Sequence, residues 1–145
     1  MKDRPIQILA PPTEATRRRM ERQRRAGTGP ELALRRELWR RGLRYRIQYP
    51  VPSHRRLKID LAFVGPRVAV FVDGCYWHFC PDHHSLPRSN TAWWTAKLTR
   101  NAERDRQTAD LLIDAGWRVV RIWEHELKGA GPSTVADLVE AVVRR

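Results

Sequence analysis

The chain has 145 residues, with 28 Lys+Arg against 16 Asp+Glu and a formal net charge of +12. One domain is expected at this length, since two would each be marginal, and 41% hydrophobic residues exclude wholesale disorder. No apolar run approaches the ~20 residues that span a bilayer. The stretch MKDRPIQILAPP lacks a secretory signal's apolar core and cleavage site, and two cysteines cannot build a disulfide framework. The expectation is a soluble protein of a reduced, cytoplasmic compartment, with no membrane partner.

The charge is uneven. Residues 1–58 carry 17 Lys+Arg and 5 Asp+Glu, whereas residues 59–145 carry 11 of each, so the whole excess lies in the first part of the chain. It is mostly arginine, as RRRMERQRR at 17–25 and RRELWRRGLRYR at 35–46. A solvated face could look like this, but clustering favours a polyanion, because neutralised phosphates release counterions. Arg17, Arg18, Arg19 and Arg24 are the first candidates for nucleic-acid contact.

In chain order, residues 1–26 read as a basic N-terminal arm: a Pro-containing tail, then a short basic helix over 14–26. Residues 27–145 form the domain proper. Gly27-Thr28-Gly29-Pro30 breaks the arm, and a helix follows to about Arg41. Thr28 and Glu31 have capping-box spacing, Gly42 suits the C′ position, and Leu34, Leu38 and Trp39 supply the buried face. Alternating Leu43, Tyr45, Ile47 and Tyr49 predict a half-buried strand closed by Pro50 and Pro52. Two strands, Leu57–Val64 and Arg67–Asp73, turn at Gly65-Pro66. That register sets Val64 against Arg67 and Asp60 against Phe71, leaving Asp60 and Asp73 diagonal on one face. After a Cys/His/Pro-rich loop at 74–89, a long helix spans about Thr91–Ala115, capped by Asn90 and ended by Gly116. Trp117–Trp123 is an apolar strand and Ser133–Val142 a final helix. Strand, helix and strand make a right-handed parallel βαβ unit, so the fold class is α/β with a mixed sheet.

Two constellations carry chemistry. Asp60 lies mid-strand in LKIDLAF and Asp73 ends VAVFVDG. Carboxylates at the edge of a buried sheet are costly unless a cation pairs with them, and hard oxygens at two strand ends suit Mg²⁺. The plainer alternatives are an arginine partner for Asp60 and a simple Asp-Gly turn at Asp73. The second constellation is Cys75, Cys80 and His83, to which His125 from the end of the next strand can be added. Two thiolates and two imidazoles make a closed tetrahedral Zn²⁺ site, and a loop this poor in apolar residues gains order from a structural metal. Choosing His83 over His84 is a judgement of spacing, and free thiols with exposed histidines are the alternative. His78 fits the zinc spacing poorly, which leaves it as a general acid or base near the aspartates, with Asp105 placed to hold its ring. Tyr76, Trp77, Trp93 and Trp94 crowd the same stretch; such residues are usually core, yet aromatic wedges also unstack duplexes.

These residues, together with RRRM…RAGTGPE, FVDGCYWHFC, the NTAWW…NAERD run and GWRVVRIWEHEL, resemble the very-short-patch repair (Vsr) endonucleases over roughly residues 15–129. The resemblance implies a restriction-endonuclease-like α/β fold, a structural zinc loop, and Mg²⁺-dependent nicking of one DNA strand at T:G mismatches. Position by position, it implies that Asp60 and the backbone carbonyl of Val72 bind Mg²⁺. His78 is then the catalytic histidine, Asp105 orients it, and Glu31 is a further acid. Cys75, Cys80, His83 and His125 match the zinc ligands, Tyr76, Trp77 and Trp94 match aromatics that enter the DNA, and Met20 matches an intercalator from the opposite side. His125 stands where the best-known member has cysteine. Asp73 stands where that member has histidine, and could add a second carboxylate to the metal.

The implied partners are mismatched duplex DNA and other mismatch-repair proteins, in the nucleoid of a bacterial cytoplasm. A nick needs only a monomer. Two alternatives differ in kind: a nicking or restriction enzyme for matched or modified DNA, and a non-catalytic zinc-stabilised DNA-binding module.

Overall fold

The structure, a computed structural model, describes residues 29–74 and 91–145. Helix α1 (Gly29–Arg40) leads to strands β1 (Arg46–Val51), β2 (His54–Phe63) and β3 (Val68–Asp73). Helix α2 (Thr91–Asp114), strand β4 (Arg118–Trp123) and helices α3 (Glu124–Gly129) and α4 (Pro132–Val143) complete the chain. The sheet order is β1-β2-β3-β4; the first two pairings are antiparallel and β3–β4 is parallel. The mixed α/β sheet expected from the pattern is therefore present. None of the described helices is long and apolar enough to cross a membrane.

Both glycine stops act as expected. Gly42 has φ 83, and Gly42 N–H bonds Trp39 O while Leu43 N–H bonds Leu38 O; Gly116 (φ 85) and Trp117 repeat the pattern on Ile113 and Leu112. These paired bonds satisfy the last helical carbonyls at the left-handed residue where only glycine is free of strain. The apolar residue that follows each glycine, Leu43 or Trp117, then turns into the core.

β3 is buried at every position, as a strand covered on both faces must be. One face packs Leu61, Phe63, Val68, Val70, Val72 and Ile122 against Leu34 and Leu38 of α1 and Val135, Ala136 and Val139 of α4. The other packs Ile59, Ala62, Ala69 and Phe71 against Leu112 and Trp117. Arg41 ties α1 to α4 by reaching Glu37, Asp137, Glu140 and the Ser133 carbonyl.

Several expectations need correction. The first strand begins at Arg46 and runs through Pro50 to Val51. Leu43 belongs to the cap of α1 instead, and a proline is tolerated because β1 is an edge strand. Ile47 is 53% exposed, and Trp39 is 50% exposed rather than core, with the Arg44 guanidinium stacked 3.8 Å from its ring centre. Helix α3 has no counterpart in the sequence pattern; the Glu126 carboxylate accepts the Trp123 N–H at its start. His125 thus lies on a short helix and not at the strand end.

Candidate active site

The β2–β3 ladder has the expected register, Phe63↔Val68, Ala62↔Ala69 and Leu61↔Val70, and stops there. One residue further on, Asp60 takes over: its Oδ2 accepts the Val72 N–H at 2.9 Å. Side-chain alternation slips at the same point. Ile59 shares a face with Ala62, while Leu61 and Phe63 point to the other face. Across the sheet, Gln48 sits between the paired residues Ile47↔Leu61 and Tyr49↔Ile59 in a left-handed conformation, φ 48. Its Nε2 lies 3.4 Å from Asp60 Oδ1. A non-glycine residue held there costs about 1–3 kcal/mol, and such strain concentrates at functional sites. The kink turns a strand residue into a carboxylate wedged between two strands.

Burial pushes the Asp60 carboxyl up to about 6, the Val72 N–H pulls it down, and the negative charges of Glu31 and Asp73 raise it further. None of the groups acting most strongly on it is a cation. An arginine pairs with Asp73 instead. Arg121 Nη1 meets Asp73 Oδ2 at 2.8 Å, its Nη2 donates to the Asp105 carbonyl at 2.9 Å, and its guanidinium lies 4.6 Å from the Phe71 ring centre. The parallel register explains this choice: Phe71 is the Cα partner of Arg121, and Asp73 is two residues on along the same face. Asp73 is only 3% exposed, so its carboxylate is already partnered by a cation inside the protein. Asp73 thus meets an arginine, while the arginine partner weighed for Asp60 is not among the groups acting most strongly on it.

Glu31, in the first turn of α1, is 3% exposed, and Val72 is also buried. Asp105 is half-buried on α2. Among the described residues, no three of His, Cys, Asp and Glu converge closely enough to form a metal cluster. Asp60 presents a largely desolvated carboxylate that a divalent cation would relieve, and Mg²⁺ requires no more than one or two protein carboxylates.

Trp94 is 1% exposed and packs edge to face on Trp93, with ring centres 4.8 Å apart. The ring is buried in this structure, so the entry into DNA implied by the resemblance would require it to leave that place. Arg41 is engaged in tying the helices through Glu37, Asp137 and Glu140. Outside the described residues lie His78, the zinc candidates Cys75, Cys80, His83 and His84, the aromatics Tyr76 and Trp77, the capping residue Thr28, and Met20, Arg17, Arg18, Arg19 and Arg24 of the arm. Of the zinc set only His125 is described. Sequence reasoning misses two residues: Gln48, which carries no signal, and Arg121, whose signal is a lone charge inside the apolar strand VVRIW.

A largely desolvated acid at the parting of two strands, with further carboxylates beside it and a basic first segment, marks the candidate site of an α/β protein whose chemistry suits a polyanionic substrate and a divalent cation. Similarity to known proteins sharpens this. The family model "DNA mismatch endonuclease Vsr" matches residues 12–85. Type II nicking enzyme V.NaeI of Lentzea aerocolonigenes is 45% identical over 136 residues, 92% of this chain and 78% of the relative. Type II nicking enzyme V.NmeDIP of Neisseria meningitidis serogroup C is 35% identical over 79% of this chain and 76% of its own length. DNA mismatch endonuclease Vsr of Escherichia coli (strain K12) is 34% identical over 104 residues, 68% of this chain and 62% of its own. The chain belongs to the Vsr family and is a DNA endonuclease.

Proposed function

We propose that this endonuclease nicks one strand of duplex DNA at T:G mismatches in very-short-patch repair, with Mg²⁺ as its catalytic ion. The observation that carries the reading is Asp60: a carboxylate raised to about 6 by burial, with acids rather than cations as its charged neighbours. Such a group is stabilised by a cation arriving with substrate. Asp60 and the Val72 carbonyl would hold Mg²⁺, which supplies charge neutralisation at the scissile phosphate. Asp73, already paired with Arg121, acts from behind by shaping the field around Asp60.

The remaining roles follow the resemblance. His78 takes the proton of the attacking water, Asp105 fixes its ring, and Glu31 adds negative charge beside Asp60. Tyr76, Trp77 and Trp94 wedge into the stack, Trp94 by leaving its buried place, while Met20, Arg17, Arg18, Arg19 and Arg24 grip the other side of the duplex. A mismatch lowers the cost of unstacking, usually a few kcal/mol, so the wedge contributes to discrimination. Cys75, Cys80, His83 and His125 would hold Zn²⁺ and order the loop carrying His78. One relative is named a mismatch endonuclease and others nicking enzymes, so a second reading, nicking of matched site-specific DNA, has support of its own. A panel of T:G, other mismatched and matched duplexes in varied flanks, with Mg²⁺ supplied or omitted, decides. Mg²⁺-dependent cutting confined to T:G duplexes supports the proposal, and equal cutting of matched DNA overturns its mismatch specificity.

A further inference from the structure

β2 outlasts its pairing with β3. That pairing covers only Leu61–Phe63, whereas pairing with β1 continues outward to Val51↔His54. Residues 54–58 with 49–51 therefore form a two-stranded ribbon without β3 beside it. Leu57 and Tyr49 pack on the cluster of Val51, Ile59 and Trp117, which fixes the ribbon to the body. With Leu57 and Ile59 turned inward, strand alternation turns Arg56 and Lys58 outward, and both are exposed, as is Arg55. There is no acid anywhere in residues 46–59. Arg40, Arg41, Arg121 and Arg144 each hold a carboxylate, but Arg55, Arg56 and Lys58 make no ion pair among the described residues. A row of cations without acid neighbours thus leads along one strand to Asp60.

We infer that this ribbon is a phosphate-tracking arm, with Lys58 and Arg56 contacting backbone phosphates of the DNA on one flank of the nick. At ~3.3 Å per strand residue, the two cations stand roughly 7 and 13 Å from Asp60 along β2. Duplex DNA advances ~3.4 Å per nucleotide along its axis, so they fall about two and four nucleotides from the cleaved bond. Their contacts would set register and affinity without reading bases. The inference rests on Asp60 as the cleavage centre, but its test does not require cutting.

The test is the salt dependence of binding, measured by fluorescence anisotropy of a labelled duplex with the full chain and no Mg²⁺. Each neutralised phosphate contributes about −0.9 to the slope of log affinity against log salt. The Arg56→Gln/Lys58→Gln pair should lower the slope by about 1.8, so that from 50 to 200 mM salt it loses roughly tenfold less affinity than the wild type. A control pair of equal charge change, Lys128→Gln/Arg144→Gln, should keep the wild-type slope, and so should Arg56→Lys. An unchanged slope in the ribbon pair, or an equal fall in the control pair, overturns the arm. Matching melting curves for all variants exclude misfolding as the cause. If nicking survives without Asp60 while the ribbon pair shifts the slope, the cleavage-centre reading alone fails. If Asp60 proves essential and the slope ignores both cations, only the arm fails.

Discussion

Replacing Asp60 by asparagine should make the protein more stable and inactive at once. Burial raises this carboxyl from 3.8 to about 6, and every tenfold change in acid strength corresponds to about 1.4 kcal/mol between the protonation states. The charged form therefore costs the fold on the order of 3 kcal/mol. The folded protein binds the proton more tightly than the unfolded chain, so this cost is absent below about pH 4, grows as pH rises toward 6, and is constant above that. Asparagine is neutral throughout, and its amide oxygen still accepts the Val72 N–H. At pH 8 without Mg²⁺, Asp60→Asn should therefore melt higher than the wild type, by on the order of 10 °C. At pH 4 the gap should close. Glu37, held down to about 2 by Arg40 and then Arg41, and Glu140, lowered by Arg144 and then Arg41, oppose this trend. Their stabilisation is lost as pH falls, but equally in both proteins, so the difference between the two melting curves isolates Asp60. Mg²⁺ should raise the melting point of the wild type and not of the variant. Equal stability at pH 8, or a gap independent of pH, would refute the account of this carboxylate.

Arg121→Met should destabilise the fold by about 2–4 kcal/mol in urea, because Asp73 loses its guanidinium partner inside the protein. Adding Asp73→Asn should recover part of that loss, and strict additivity of the two changes would show that the pair is not coupled. Natively purified protein should contain one zinc per chain, and Cys75→Ser should lose both the metal and several degrees of melting temperature; metal analysis finding no zinc ends that proposal. Trp94→Ala should cost about 3–5 kcal/mol as a core truncation, whereas Trp77→Ala should slow mismatch nicking with little effect on the melting curve. The reverse pattern would exchange their roles.

What can be read from the sequence is whatever local chemistry decides. Gly42 and Gly116 mark helix ends because the left-handed position selects glycine. The Gly65-Pro66 turn between two apolar runs sets the β2–β3 register, and with it the place of Asp60 beside β3. Leu43 and Tyr45 mislead because their alternation matches a strand, although Leu43 closes a helix cap. Helix α3 is short, and nothing in EHELKG outweighs its neighbours until Leu127 finds the core formed by α1 and α4. The positive φ of Gln48 and the slip at Asp60 arise between strands, so no single segment carries their signal. The same holds for Arg121, which selects Asp73 over Asp60 only after β3 and β4 have paired in parallel register.

The Asp60 carboxylate, on this account, organises the cleavage of DNA. Single-turnover nicking of a T:G duplex, measured with Asp60→Ala and wild type beside an anisotropy measurement of binding, addresses that role most directly. Nicking should fall by several orders of magnitude while affinity for the duplex stays within a few-fold. A variant that still cuts at a rate near the wild type would contradict it.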